Sequence, residues 1–563
     1  MPQPVRDKIG RQAPAWSASF RQPPRRAARR MSTPSATRSG FRLYRVLRLR
    51  PSLAAIAAVL VFLWCVSRFY QPDTGFSSLI SIGDILEETK VTSLRQTPHH
   101  VYEKSAGYDG AYYVQLALYP TLDNPELTKA IDNLPYRAKR ILFCWAAWLL
   151  GGGQPGAVVQ AHALLNVACW LALAWVLLRW FPPNTWENFL RWAFVLFSHG
   201  LCMSVRHSLV DGPSLLLVAL ALRWLEDGRR GAGAVTLALA GLGKETSLLA
   251  GAGLEVDWRA PRSWWRPAAT LLMSALPLFL WMGYVRWKFG PADDPGMGNF
   301  TLPFVGFAEK FRYAWREATG PDGGQLAWAS LVTIVALAVQ WTFFVLRRRP
   351  GERWWRVGAA FALMMTFLST PVWEGFPGAS TRVLLPMTLA FNVLVPRGRR
   401  WLPVLLAGNL TVAATIFEYS PPHEFFALKG DPTTQTLIRV KPLKGWYAPE
   451  QHLAQQWRWT TGAAELRLTN AADVAVTVTI RGLVSAADGE CRIRIGSGDR
   501  LLWGESAGVK PREFRFGLTL APGETRLSFT GDQPAKKIGA DPRELAFRIA
   551  NLEIVVPPAG MRP

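Results

Sequence analysis

Apolar residues fall along this chain in long blocks and not at the three-and-four spacing of amphipathic helices. The blocks cover 51–67, 157–178, 187–204, 209–225, 267–285, 326–346, 356–371, 380–396 and 401–417. A bilayer's hydrocarbon core is about 30 Å thick, and a helix crosses it with roughly 20 apolar residues. Blocks without a polar face therefore predict membrane-spanning helices. Two more, 141–150 and 232–254, are short or interrupted. In the second, Gly241, Gly243 and the run Lys244-Glu245-Thr246 fall midway, which predicts a segment that enters and turns back without crossing.

From about residue 457 the period changes to two. Glu465 to Leu468, Val474 to Ile480, Cys491 to Ile495, Glu513 to Phe516, Arg526 to Phe529 and Leu545 to Val556 alternate apolar with polar positions. Asp488-Gly489, Gly498-Asp499, Pro522-Gly523 and Gly531-Asp532 punctuate them as turns. That pattern predicts a C-terminal antiparallel β-sandwich. The expected order is a basic tail over 1–50, a polytopic α-helical membrane domain over 51–418 with about ten or eleven hydrophobic segments, a linker over 419–456, and the sandwich over 457–563.

Composition agrees with a membrane protein: 50% of the 563 residues are hydrophobic and 18% charged. The net charge of +24 raises nucleic-acid binding as an alternative, so the placement of the arginines decides. Residues 1–50 hold 13 Lys/Arg and one acid, and other cations sit in short loops: Arg229-Arg230, Arg347-Arg348-Arg349 with Arg353 and Arg356, and Arg397 with Arg399-Arg400. Cations flanking apolar spans mark the cytoplasmic side, where anionic headgroups also attract them. No RNA or DNA module accompanies the charge, so the expected partner is the lipid bilayer and not nucleic acid. The first apolar run ends at Arg68 without a small-residue cleavage site, which predicts an uncleaved helix. The five cysteines show no disulfide framework or zinc spacing. With the basic loops inside, the loops 69–138 and 287–325 and everything after 418 fall outside.

The first external loop, 69–138, carries the densest candidate chemistry. It contains Gly107-Tyr108-Asp109-Gly110-Ala111-Tyr112-Tyr113, followed near its end by Tyr136-Arg137 and Arg140-Ile141-Leu142. A partly desolvated carboxylate at Asp109 suits a general base toward a hydroxyl; equally, an aspartate just before a helix serves as its cap. Asp211 precedes Gly212-Pro213 at the start of an apolar block and also reads two ways, as an acid with chemistry or as a cap. Lys244 and Glu245 lie inside an apolar block, where a charge must be paired, wet or functional. Lys244 suits a donor phosphate as a point charge, and a mutual ion pair with Glu245 is the plainer reading. Arg382, after Trp373-Glu374, suits a phosphate too, against the ordinary snorkelling arginine. His162 and Asn166, four residues apart, read as an interhelical hydrogen-bond site. Trp457, Trp459 and Trp503 suit sugar stacking or, more ordinarily, packing. There is no phosphate-binding glycine loop, dinucleotide fingerprint or Ser-His-Asp pattern.

A short first helix, a long first loop with an aspartate among aromatics, and about ten further apolar segments resemble the GT-C superfamily of membrane glycosyltransferases. The strings around Asp109 and over Tyr136 to Leu142 are similar to those of bacterial members, and the similarity covers roughly 50–418. The resemblance implies a transferase that takes a sugar from a polyprenyl-phosphate carrier and gives it to a glycan or protein acceptor on the non-cytoplasmic face of a bacterial inner membrane. It implies Asp109 as catalytic base and Asp211 as the second acid. Lys244, Arg382, Arg137 and Arg140 would meet the donor phosphate, and Tyr108, Tyr112, Tyr113 and Glu245 would line the substrate. It names no certain cofactor and leaves a divalent metal open. A transporter or flippase for a lipid-linked glycan is the competing reading; it calls for paired charges at the bilayer midplane and internal repeats, and the chain shows no repeat.

Reporter fusions after residues 100 and 430 are expected to report a non-cytoplasmic location. Cytoplasmic reporter activity at either position refutes this arrangement.

Overall fold

The structure, a computed structural model, describes residues 50–71, 74–103, 105–256, 264–290, 295–320, 324–422, 425–435, 437–452, 455–539, 541 and 543–556. The tail expected over 1–50 lies outside these residues except for Arg50. Among the described residues three helices are long and apolar enough to cross a membrane: Pro155–Leu177, Trp265–Phe289 and Gln325–Leu346. Pro51–Ser67 and Leu385–Leu394 are apolar but shorter.

The remaining blocks are shorter than expected or broken, each for a local reason. Block 187–204 becomes Trp186–Leu196 and His199–Arg206, because Ser198 between them is extended, with φ −60° and ψ 141°. Block 380–396 becomes the single turn Ser380–Val383 and the helix Leu385–Leu394, whose first turn holds Pro386, where a missing N–H costs nothing. Block 401–417 gives Leu402–Ala407, then tighter 3-10 turns over Leu410–Phe417. Block 141–150 is the nine-residue helix Leu142–Leu150. Ten or eleven apolar segments thus exist as sequence, but not as that many full-length helices.

The interrupted block returns on itself. Its helix Arg230–Gly243 stops at Lys244, which is extended at φ −160° and ψ 121°, and 3-10 turns over Glu245–Gly253 lead back. Leu248 packs over Gly241, and Gly251 lies against Leu237 and Leu271. Glu255 ends up 3.8 Å from Arg230 and bonded to Arg353, so both ends of the hairpin share one end of the bundle. Lys244 is at the tip, roughly 20 Å away at about 1.5 Å of rise per residue.

The C-terminal domain is a sandwich, and it begins earlier than the sequence pattern suggests. A five-stranded sheet runs Arg500–Ala507, Cys491–Ser497, Gly523–Gly531, Ala463–Asn470 and Ile438–Pro442. A second runs Arg512–Leu520, Val476–Ala486, Phe547–Val556, Gln455–Trp459 and Glu450–His452, with Phe426–Gly430 added in parallel beside Phe547–Val556. The stretch 419–456, expected to be a linker, therefore supplies three strands; they are short and edge-like, so alternation is too brief to read there. Leu466, Leu468, Ile493 and Phe529 from one sheet meet Ile480, Val484, Ile549 and Ile554 from the other in one buried core.

This domain is docked on the helical body by charge. Arg458, almost fully buried, places its two Nη atoms 2.8 and 3.2 Å from the carboxylate of Glu103. Glu103 directly follows the short strand Val101–Tyr102, which pairs with Ile82–Gly83. Removing one partner of a buried pair costs about 3–5 kcal/mol, and less here because Glu103 is 41% exposed. Glu103→Lys and Arg458→Glu are each expected to lower the thermal unfolding midpoint and to speed trypsin cleavage between the domains. The double variant, which restores opposite charges, is expected to recover most of both losses; additive losses refute the docking role.

Candidate functional site

Three segments converge at the end of the bundle where the hairpin tip sits: the helix Asp109–Leu118, the helix Asp211–Glu226 and the turn Ser380–Val383. Two glycines permit the approach. A Cβ on Gly110 would lie 2.0 Å from the His207 carbonyl oxygen, and one on Gly200 would lie 2.2 Å from that of Thr381. Asp109 and Asp211 are each the first residue of their helices, with Tyr108 and Val210 in the capping positions, and neither cap is made by a side chain. The capping readings therefore fail. Both carboxylates still gain from the positive end of the helix dipole, but they face cationic side chains, with both oxygens of Asp211 engaged and Asp109 Oδ2 no closer than 3.7 Å to Arg382.

Arg382 is the hub. Its Nη1 lies 3.2 Å from Asp211 Oδ2 and 3.7 Å from Asp109 Oδ2, and its Nη2 donates to the Tyr108 hydroxyl at 3.2 Å. Lys244 at the hairpin tip bonds the other oxygen of Asp211, which is 3% exposed. Arg137 Nη1 sits 3.0 Å from Asp109 Oδ1, and its Nη2 is 2.8 Å from Asp132. Arg140 grips Glu245 through two bonds of 2.9 and 2.6 Å and donates to the hydroxyls of Tyr113 and Tyr136, each at 3.1 Å. Four cations and four carboxylates thus interlock around one cavity of about 1760 Å³. Burial in apolar surroundings requires that matching, since an unpaired charge there is costly.

Behind Tyr108 lies a second polar layer. The His207 ring stacks on Tyr108 with centroids 4.4 Å apart. Glu418 joins His207 Nε2 at 3.4 Å and His199 Nε2 at 3.0 Å, and His199 Nδ1 is 3.0 Å from Thr381 Oγ1, next to Arg382. Ser81 Oγ meets His207 Nδ1 at 2.9 Å. Burial pushes the His207 imidazole below its ordinary range against the pull of Glu418, while the two histidines hold the Glu418 carboxyl well below the usual carboxylate range despite its burial. Burial likewise raises the Tyr108 hydroxyl, with Arg382 opposing.

The structure brings together Tyr108, Asp109, Tyr113, Arg137, Arg140, Asp211, Lys244, Glu245 and Arg382 around that cavity. Tyr112 is the exception: it is not among the lining residues, and its ring lies 5.0 Å under the Arg137 guanidinium. Lys244 and Glu245 do not pair with each other but reach apart, to Asp211 and Arg140. Arg382 does not snorkel; it is 10% exposed. Asn166 bonds the Leu209 carbonyl and Ser204, as expected of an interhelical polar residue, whereas both ring nitrogens of buried His162 lack a hydrogen-bond partner among the described residues. Sequence reasoning gave no role to Asp132, Tyr136, His199, His207 or Glu418, although Tyr136 falls in one of the strings it singled out. Asp132 and Tyr136 stand beside Arg137 in the chain; His207 and Glu418 sit just past block ends, where polar residues are ordinary, and His199 is a lone histidine inside block 187–204.

For a divalent metal the fit is poor. Among the described residues no three His, Cys, Asp or Glu side chains converge to hold an ion, and Asp109 and Asp211 are both taken by cationic side chains.

No protein-family model and no curated protein sequence matches the chain. Among solved structures it is similar to the arabinosyltransferase EmbB from Mycobacterium smegmatis, at 11% identity and a TM-score of 0.32, over 93% of this chain and 66% of that one. At that TM-score the backbones do not superpose closely enough to transfer a residue or an activity.

Two outcomes follow from the geometry. Lys244→Met strands the buried Asp211 charge beside one remaining partner, with an expected loss of about 3 kcal/mol or more; adding Asp211→Asn should return part of it in detergent thermal melts. A histidine whose folded value is depressed binds its proton more readily unfolded, so the contribution of His207 is full above about pH 6.5 and falls as pH drops below it. His207→Gln is expected to flatten the decline of the unfolding midpoint below pH 6.5, and an unchanged profile would sink the assignment.

Proposed function

We propose that this chain is a membrane glycosyltransferase, moving a sugar from a polyprenyl-phosphate carrier to an acceptor hydroxyl of a glycan or protein on the non-cytoplasmic face of a bacterial inner membrane. The observation that carries the reading is the two-part cavity. Its charged end holds Asp109, Asp211, Lys244 and Arg382, and it continues between apolar side chains including Leu249, Leu271, Met282, Leu363 and Phe367. A substrate with a phosphate next to a long hydrocarbon chain needs both ends. Several of those apolar residues are also exposed, Leu271 at 40% and Leu363 at 63%, as an opening toward lipid requires.

In this reading the acceptor hydroxyl gives its proton to the Asp109 carboxylate while its oxygen attacks the anomeric carbon. The bond from that carbon to the phosphate oxygen breaks, and its electron pair stays on the departing polyprenyl phosphate. Lys244, Arg382, Arg137 and Arg140 supply the positive field for that charge. Asp211, with both oxygens occupied, holds Lys244 and Arg382 in place. Tyr108, Tyr113 and Glu245 border the space left for the sugar.

Asp109→Asn tests the reading, because asparagine keeps the shape and loses the basic oxygen. Loss of a general base costs about 10² to 10⁴ in rate. The variant is expected to reach membranes at wild-type abundance, to unfold at a similar temperature, and to transfer sugar from polyprenyl-phosphate donors at least a hundredfold more slowly. Transfer within a fewfold of wild type removes Asp109 from the base role.

A further inference from the structure

A second cavity, of about 630 Å³, shares no lining residue with the first. It is a groove between the helices Val305–Thr319 and Gln325–Leu346 and the segment around Trp401 and Val404. Phe307, Phe311, Val335, Val339 and Phe343 give it apolar walls. At one end stands Arg347, its guanidinium 4.6 Å over the Trp401 ring. Among the described residues no carboxylate lies within ion-pair distance of Arg347 or Arg348, which follows it; both are exposed, as are Arg399 and Arg400 beside Trp401. Stacking on an aromatic face holds a guanidinium in position without using its N–H donors.

We propose that this groove is a binding site for an anionic phospholipid, with one acyl chain along the aromatic walls and the headgroup phosphate on Arg347 and Arg348. Length and charge both favour that occupant. From Ile334 to Arg347 the helix rises roughly 20 Å at about 1.5 Å per residue, enough to match one leaflet of a hydrocarbon core about 30 Å thick. An uncompensated basic cluster at the end of an apolar slot complements an anionic headgroup and is indifferent to a zwitterionic one. A partner helix would need carboxylates at the Arg347 end to match. The proposal rests on the membrane reading above, but not on the transferase reading or on Asp109.

The test uses the full chain, extracted from membranes in neutral detergent, incubated with equal phosphatidylglycerol and phosphatidylcholine, and examined by native mass spectrometry. Retention of phosphatidylglycerol is expected to exceed that of phosphatidylcholine at least about fivefold, the factor matching about 1 kcal/mol for a single basic residue at an anionic surface. Arg347→Gln with Arg348→Gln should abolish the preference. Ala338→Trp, which fills the groove, should abolish retention of both lipids, and Thr342→Trp repeats that test at another lining position if the first variant unfolds early. Equal retention of the two lipids, retention unchanged in the filled variants, or a dimer cross-linked through the groove overturns the proposal. Recovery of the chain in the soluble fraction before any lipid is added overturns the membrane reading and the site together. Loss of sugar transfer in Asp109→Asn, or its persistence, leaves these outcomes unmoved.

Discussion

A cation shared between two carboxylates holds the cavity end of this molecule together. Arg382 stands on a single helical turn, and what fixes it is not that turn but its neighbours: Asp211 on one side, Asp109 on the other and the Tyr108 hydroxyl at its tip. Asp211 is 3% exposed, and an ion left that deep without a partner costs more than most single contacts return. Each member of the network therefore constrains the next. The requirement runs from Arg382 through Asp211 to Lys244, and so fixes the depth at which the hairpin must stop.

The hairpin explains how a chain can deliver a lysine to such a place. A continuous span would carry Lys244 past the cavity, whereas the break after Gly243 leaves it at a tip with its base tied to Arg230, Arg353 and Glu255. The same arrangement leaves Leu248 and Leu249 on the far side of the tip, where the cavity turns apolar. Charge and hydrocarbon thus meet within one structural element.

The sequence makes some of this visible and hides the rest for identifiable reasons. Long apolar blocks and a change of period from 3.6 to 2 survive any tertiary context, so the helical body and the sandwich are readable. Asp109, Asp211, Lys244 and Arg382 stand out as charges set among aromatics or flanking or interrupting apolar blocks, although each also has a plain structural reading there as a cap, a neighbouring pair or a snorkelling arginine. Their mutual pairing is not readable, since residues from 33 to more than a hundred positions apart meet only through the fold; Lys244 and Glu245, adjacent in sequence, find different partners for that reason. The breaks at Ser198 and Leu384 are set by local backbone conformation that hydropathy ignores. The strands between Phe426 and His452 take their places from neighbours in the sheets, each beside a longer strand, and have too few residues to announce themselves.

The position of Glu418 bears on where this chain can be shortened. It follows the last apolar turns of the helical body directly, yet it serves as the common carboxylate for His199 and His207, and Tyr419 beside it packs edge-on against Phe62 and Phe69. A truncation placed by hydropathy, at the end of the last apolar block, would delete that carboxylate and the Arg458 that neutralises Glu103, leaving His199, His207 and Glu103 without these partners. The boundary between the two halves is a boundary of secondary structure only. As a unit of solvation, the helical body extends at least through Tyr419 and borrows Arg458 from beyond it.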